Sequence, residues 1–495
     1  MSSKSGQTHN KKPLQQAPTV HKIGGTSMDD VETVFKNILI GKRKDADLYN
    51  RIFVVSAYSG MTDLLLEHKK THEPGVFSLY SSAENEWAWG DALNRVGEAM
   101  HQKNAEFLKD KADLDLANRF VEERIEGVRS CLIDLNRLCS FGHFQLPEHV
   151  ATVREMLSSL GEAHSAFNTM LLLKRQGVNA VFIDLSGWRE SNSLNLDERI
   201  TEAFAGVELD KQLPIVTGYA QCEEGLTGIY GRGYSEVTFS RIACLMGASE
   251  AIIHKEFHLS SADPKIVPAD TIRPIGETNY DVADQLSNMG MEAIHPKAAK
   301  GLRKNNIPLR IMNTFEPDHQ GTIISDSGRA DNPRVEIVTG LPSVYEIEVF
   351  DQEIVGTPGA SIHVREALSR YKLWTISHYI NANTLTQYVS APLKQIRRCM
   401  DEVKRTAPNA EIRTRKVAVV SAIGSNLESG HYFEKSVAAL AENNVEMIAV
   451  QKPSRNVDLQ FVVPEKDYAK AISSLHKVLV EEDAEKQAPS LKKVA

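Results

Sequence analysis

His21-Lys22-Ile23-Gly24-Gly25-Thr26-Ser27-Met28 begins as a short strand and runs directly into a double-glycine turn. A helix is expected over residues 29–41, because Val31, Val34, Phe35, Ile38 and Leu39 recur at helical spacing. The same plan returns at Arg51–Ser56 (RIFVVS), an uninterrupted apolar run that empties into Ala57-Tyr58-Ser59-Gly60, then Thr62, Asp63 and an apolar helix start at Leu64–Leu66. A run without alternation is the mark of a strand buried on both faces, hence of a parallel sheet. Residues 180–184 (AVFID), 213–217 (LPIVT) and 251–253 (AII) supply three more such strands with helical stretches between them. Residues 84–173 read as mainly helical, with a break near Gly142–Pro147. Repeated strand–turn–helix units predict an α/β fold, a three-layer αβα sandwich around a mainly parallel central sheet. Ligands in such folds lie at the carboxyl ends of the strands, where these turns sit.

Beyond a polar, turn-rich segment at 325–333 (SDSGRADNP) the chain repeats itself. One copy reads strand 344–350, turn 356–359, helix 361–370, strands 374–380 and 385–390, and a helix opened by Pro392. The other reads strand 417–422, turn 424–430, helix 431–443, strands 445–450 and 457–463, and a helix opened by Pro464. Each has the β-α-β-β-α order of a ferredoxin-like unit. The expected organisation is a leader at 1–20, a catalytic domain at 21–325, two repeats at 335–410 and 411–480, and a loose tail at 481–495.

Composition narrows the function. The 495 residues carry 57 Lys+Arg against 65 Asp+Glu, a formal charge of −8, so no global basic field exists for nucleic acid or anionic membrane. No apolar run approaches the roughly 18–20 residues of a membrane helix, and the polar first twenty residues lack the apolar core of a secretory signal. Five dispersed cysteines without a C-x-x-C pair argue against a zinc knuckle or disulfide framework and for a reducing, cytoplasmic compartment.

Several motifs carry chemistry. In Lys22-x-Gly24-Gly25-Thr26-Ser27, successive amides at a helix start favour phosphate, and Lys22 on the strand reaches the same place; a glycine turn by itself also serves as a plain connection. Hydroxyls of Ser56 and Thr62 in the second turn are placed to meet a ligand, whereas Asp63 alternatively caps the next helix. Glu162, in Gly161-Glu162-Ala163-His164-Ser165, stands among apolar helix residues and suits an ammonium group or, more blandly, solvent. Gly231-Arg232-Gly233-Tyr234-Ser235-Glu236 frames a planar guanidinium with glycines, a fork for carboxylate or phosphate. Lys265 follows an Asp263-Pro264 turn as a phosphate contact. No P-loop and no His/Asp/Glu cluster of metal-ligand spacing is present, so any Mg²⁺ would be held through nucleotide phosphates.

Taken in order, KIGGTS (22–27), VVSAYSGMTD (54–63), LGEAHS (160–165), GRGYSEVT (231–238), ADPKIV (262–267), GMEAIHPKA (290–298) and NTFEPDHQGTII (313–324) resemble the aspartate kinases, members of the amino-acid-kinase superfamily that carry paired ACT domains. The resemblance runs from residue 21 to about 480. It implies the amino-acid-kinase fold followed by two ACT domains. It also implies transfer of the γ-phosphoryl group of ATP, with Mg²⁺, to the β-carboxylate of L-aspartate. Lys22 and Glu236 would be catalytic. Ser56, Ala57, Thr62, Glu162, Arg232 and Ser235 would line the aspartate site. Lys22, Gly24, Gly25, Thr26, Asp263 and Lys265 would meet the nucleotide. The same resemblance implies a homodimer or higher homo-oligomer through the ACT domains and an amino-acid effector. Alternatives are a catalytically weak ACT-based sensor, or a kinase of another amino-acid acceptor.

Four departures stand out. The usual G-R-G-G-S-D is GRGYSE, the usual T-D-V-D-G-V-Y is HKEFHLS at 254–260, and G-E-R is Gly161-Glu162-Ala163. The usual S-S-E-I-N-I-S of the second ACT copy is SRNVDLQ at 454–460, with Asp458 in place of asparagine. Such divergence resembles the aspartate kinases associated with ectoine synthesis more than lysine- or threonine-regulated forms.

Overall fold

The computed structural model describes residues 17–69, 71–82, 86–291, 293–326, 333–352, 359, 361–428 and 431–482. Most of the expected leader, all but two residues of the expected tail, and most of the 356–359 turn lie outside the described residues. Two compact units emerge: residues up to His258 with Lys297–Gln320, and Leu259–Pro296 with Gly321 onward.

Strands in chain order are β1 (Thr19–Ile23), β2 (Arg51–Val55), β3 (Ala180–Ile183), β4 (Leu213–Thr217), β5 (Glu250–Lys255), β6 (Glu277–Thr278), β7 (Leu309–Asn313), β8 (Thr322–Ile324), β9 (Arg334–Phe350), β10 (Trp374–Asn381), β11 (Thr384–Ser390), β12 (Glu411–Ser425), β13 (Ala449–Gln451) and β14 (Asp458–Val463). In the first unit six of them run parallel in the order β3-β4-β2-β1-β5-β7. Every residue of RIFVV and LPIVT is buried, as their unbroken apolar character requires. Helix Leu146–Arg175 packs on β2, β3 and β4, and helix Tyr234–Leu245 on β1, β2 and β5. Ile23, Phe53, Val55 and Ile215 join the apolar cluster of the first helix. The period-two alternation of β1 turns Lys22 to the opposite face.

Local structure differs from expectation where side-chain capping intervenes. The helix expected over 29–41 divides into Gly25–Met28, Val31–Val34 and a wider π-type turn at Phe35–Leu39. The Asp30 carboxylate accepts the Thr33 amide (3.1 Å) and starts a new segment. Likewise the helical stretch 84–173 breaks not only before Leu146 but also after Phe107, where Asp110 accepts the amides of Ala112 and Asp113.

In the second unit β10-β11-β9-β12-β14-β13 form one antiparallel sheet, and β6 pairs β8. The expected strands 344–350 and 417–422 are the apolar parts of two much longer ones. Glu411–Lys416 escapes a pattern reading because it is charged; across the ladder Arg415 faces Glu346, which accepts its Nε at 2.7 Å and its Nη2 at 3.1 Å. Both long strands feed two cores. Val335 and Val338 of β9 sit with Val420, Phe461 and Leu475, while Ile347 and Val349 sit with Leu368, Leu385 and Cys399, against which Ile412 of β12 packs. A division at 410/411 therefore cuts across the cores rather than between them. The expected single block 21–325 is divided too, because Ala262 and Val267 belong to the Phe461 cluster.

Candidate active site

Three turns following parallel strands converge in the first unit. A Cβ on Gly25 would lie 2.7 Å from the Ala57 carbonyl oxygen, a distance no side chain tolerates, so only glycine lets the turn after β1 touch the turn after β2. The turn after β2 is fastened to helix Leu146–Arg175, whose Ser165 hydroxyl donates to the Ser56 carbonyl at 2.8 Å. After β4 comes Gly218, where a Cβ would meet Ser235 Cβ at 2.7 Å and Glu162 Oε1 at 3.1 Å. Glycine at 218 is thus what allows Glu162 and the start of helix Tyr234–Leu245 to close on one another.

Lys22 and Glu236 face each other inside this convergence, with Lys22 Nζ 3.7 Å from Glu236 Oε1 and both side chains largely buried. Glu162 is 3% exposed. Burial pushes its carboxyl up to about 8, against the opposing pull of the Lys22 charge and of the polar Tyr219 amide and Tyr234 side chain. Its second oxygen, Oε2, is buried without a hydrogen-bonding partner among the described residues. An orphaned carboxylate oxygen beside a buried ammonium is costly in a resting protein and suits a site completed by a cationic ligand group.

The remaining sequence-derived residues are placed as follows. Ala57 and Ser235 are buried, Thr62 is half-buried in the short helix Met61–Leu65, and Thr26 is exposed. Gly24 donates its amide to the His254 carbonyl at 3.3 Å, which extends the β1–β5 ladder. Arg232 occupies the turn Gly231–Gly233, and its side chain lies outside the described residues. Asp63 does not cap the helix that contains it; it accepts the Lys69 amide at 3.2 Å and approaches His68. Asp263 and Lys265 belong to the second unit, where both are exposed and Asp263 accepts the Lys265 amide at 2.9 Å.

Sequence reasoning missed Gly218 and Tyr219, and gave no role to Tyr234 or Ser27. The first two follow the buried LPIVT strand as the other turns follow theirs, so that signal was available. Ser27 donates to Glu256 Oε1 at 3.0 Å and lies 3.1 Å from the Thr314 hydroxyl, pairings across more than two hundred residues that no local pattern reveals. Among the described residues no group of three or more His, Cys, Asp or Glu side chains is arranged to hold a metal ion. No described helix is long and apolar enough to cross a membrane.

The amino acid kinase family model matches residues 17–313. The aspartate kinase Ask_Ect of Stutzerimonas stutzeri is 51% identical over 463 residues, covering 94% of this chain and 97% of that protein. An aspartokinase of Candida albicans is 25% identical over 93% of this chain and 90% of its own length. Among solved structures, E. coli aspartokinase III in complex with lysine and aspartate superposes with a TM-score of 0.71 at 18% identity, over 94% of this chain and all of that one. Aspartate kinase of Clostridium acetobutylicum gives 0.66 at 17% identity, again over 94% of this chain and all of its own. These two likenesses concern the fold. The chain belongs to the amino acid kinase family. Within that family it is an aspartate kinase, an ATP-dependent phosphotransferase with a carboxyl group as acceptor.

Proposed function

We propose that Lys22, Glu162 and Glu236, framed by the turns after β1, β2 and β4, are the place where the β-carboxylate of L-aspartate takes the γ-phosphoryl group of ATP. The observation that carries this reading is the facing of the largely buried Lys22 ammonium and Glu236 carboxylate, 3.7 Å apart, among the turns that also enclose Glu162, a buried carboxylate whose Oε2 has no hydrogen-bonding partner among the described residues. Glu162 accepts the substrate α-ammonium. Lys22 keeps donors beyond its contact with Glu236, and these neutralise charge on the phosphoryl oxygens as the β–γ bridging bond breaks and ADP departs. The aspartate carboxylate is already ionised at neutral pH, so it attacks phosphorus without a general base. Glu236 orients Lys22. Arg232 clamps the substrate carboxylates, and Ser56, Ala57, Thr62 and Ser235 complete the acceptor pocket.

On the nucleotide side the Gly24 amide is engaged with His254, so amide donation falls to Gly25 and Thr26. Mg²⁺, when bound, would be held mainly through nucleotide phosphate oxygens and would supply charge neutralisation there. The chain is further proposed to act as a homo-oligomer through its ACT-type repeats, to feed the aspartate pathway, ectoine synthesis included, and to respond weakly to amino-acid effectors. A hydroxamate assay with MgATP and L-aspartate tests the core of this reading. Turnover that disappears in Lys22→Ala supports it, and well-folded protein without aspartate-dependent turnover overturns it.

A further inference from the structure

Helix Leu226–Tyr230 is only five residues long, and of these Leu226 and Thr227 are buried while Ile229 is 46% exposed. So short a helix with so little apolar anchoring does not hold its own shape. Gly225, at its N-cap, has no side chain with which to satisfy the first amides. The cap comes instead from helix Leu146–Arg175. Glu155 Oε1 accepts the Thr227 amide at 2.7 Å and the Gly228 amide at 3.0 Å, and the Thr227 hydroxyl donates to the same oxygen. Glu155 Oε2 accepts the Tyr219 hydroxyl at 2.9 Å, and the Tyr219 ring stands edge-on to Tyr234, centroids 5.6 Å apart at 82°. One carboxylate thus ties together the turn after β4 and the segment ahead of helix Tyr234–Leu245.

Leu226–Tyr230 passes without a break into the Gly231–Gly233 turn, which carries Arg232, and then into the helix of Ser235 and Glu236. Glu155 and Glu162 are two turns apart on one helix, on the same face. We propose that Glu155 is a positioning residue for the acceptor: by capping Leu226–Tyr230 from the helix that carries Glu162, it fixes the Gly231–Gly233 turn, and with it Arg232, in register with the group that receives the substrate ammonium. This rests on the reading of Glu162 and Arg232 given above. A group held in its binding-competent place for only about a tenth of the time binds about tenfold more weakly. Three hydrogen bonds to a charged group are ample to set such a population.

The test is steady-state kinetics of the full chain with the hydroxamate readout, L-aspartate and MgATP each varied. Glu155→Ala is expected to raise KM for aspartate about tenfold, with kcat within about threefold and KM for MgATP unchanged. Glu155→Gln keeps an acceptor oxygen for the two amides and is expected to return KM to within about threefold of the parent. Thr227→Val deletes one donor without touching the long helix, raises the same KM by about threefold, and reads the contact should the Glu155 variants fold poorly. In an Arg232→Ala background Glu155→Ala adds no further increase in KM. A merely structural carboxylate would lower the melting temperature, or kcat through loss of active protein, and leave KM for aspartate where it is. That outcome, a Glu155→Gln as impaired as Glu155→Ala, or an undiminished effect in the Arg232→Ala background overturns the proposal. Arg232→Ala with an unaltered KM for aspartate overturns instead the acceptor reading on which it rests, a result read in that variant alone.

Discussion

Lys22 Nζ and Glu236 Oε1 lie 3.7 Å apart on two elements that share no sequence neighbourhood, a strand end and a helix first turn, with both side chains largely buried. The separation is longer than a hydrogen bond, so Glu236 acts on Lys22 through charge and orientation rather than by taking a proton. Lys22→Ala is expected to lower kcat by about 10²–10³, the scale of losing one preorganised electrostatic group, with KM for aspartate little changed. Glu236→Asp withdraws the carboxylate by about one bond length, roughly 1.5 Å, and is expected to lower kcat by about tenfold. Steady-state kinetics with the hydroxamate readout check both. Improved turnover in Glu236→Asp would show that glutamate is not matched to this site.

The carboxyl of Glu162, pushed up to about 8 by burial, gives a pH dependence with a definite sign. Below that value the group holds its proton and cannot pair with an ammonium, so kcat/KM for aspartate is expected to rise with pH until the group has ionised. Stability of the ligand-free protein runs the other way. The folded carboxyl keeps its proton where the unfolded one, near its ordinary value, has lost it, so stability falls as pH rises from that ordinary value through about 8. Glu162→Gln, which cannot ionise, is expected to be more stable than the parent above pH 8 by roughly 2–4 kcal/mol and no more stable at pH 4. Thermal melts across pH measure this. A constant difference between variant and parent would show that the buried charge is not the cause.

Gly25 meets Ala57 where a Cβ would stand 2.7 Å from a backbone carbonyl, and a carbonyl in a fastened turn has little room to retreat. Gly25→Ala is therefore expected to part the two turns and cost kcat/KM about 10²-fold. The overall melting temperature should fall by only a few degrees, because the sheet beneath is unaffected. Kinetics and calorimetry together check it. Full activity in Gly25→Ala would mean that the two turns need not touch for catalysis.

What could be read in advance follows the range of the interactions. β2 and β4 declare themselves because burial on both faces leaves no polar residue in RIFVV or LPIVT, and the turns after them fall at the strand ends that such folds use. Lys22, Glu162 and Glu236 stand in the motifs through which the sequence resembles the aspartate kinases. Their mutual distances were not, since strand order β4-β2-β1-β5 is set by tertiary packing. β7 went unread beside a turn-rich stretch, and the charged half of β12 went unread because its arginines look solvated until Glu346 is opposite Arg415. Tyr234 was noticed only as a departure from glycine. Its ring packs edge-on against Tyr219, which comes from another element.

Asp458 sits in β14 at 1% exposure, with Oδ2 accepting the Gln460 side-chain amide at 2.7 Å and Oδ1 without a partner among the described residues. Burial raises its carboxyl above the ordinary value, and Gln460 only partly opposes this. The sign matches that of Glu162: the stability this group contributes is present at low pH and lost as pH rises through its folded value. Asp458→Asn keeps an acceptor for Gln460 and removes the ionisation. It is expected to raise the melting temperature of the second unit by a few degrees at pH 8 and to leave it unchanged near pH 4. A carboxyl so enclosed and turned to its own neighbour is a poor partner for a free effector amine. Lysine and threonine, each added at millimolar concentration, are accordingly expected to inhibit weakly in the parent and in Asp458→Asn alike. Strong inhibition by either amino acid that vanishes in Asp458→Asn would assign the side chain to an effector site instead.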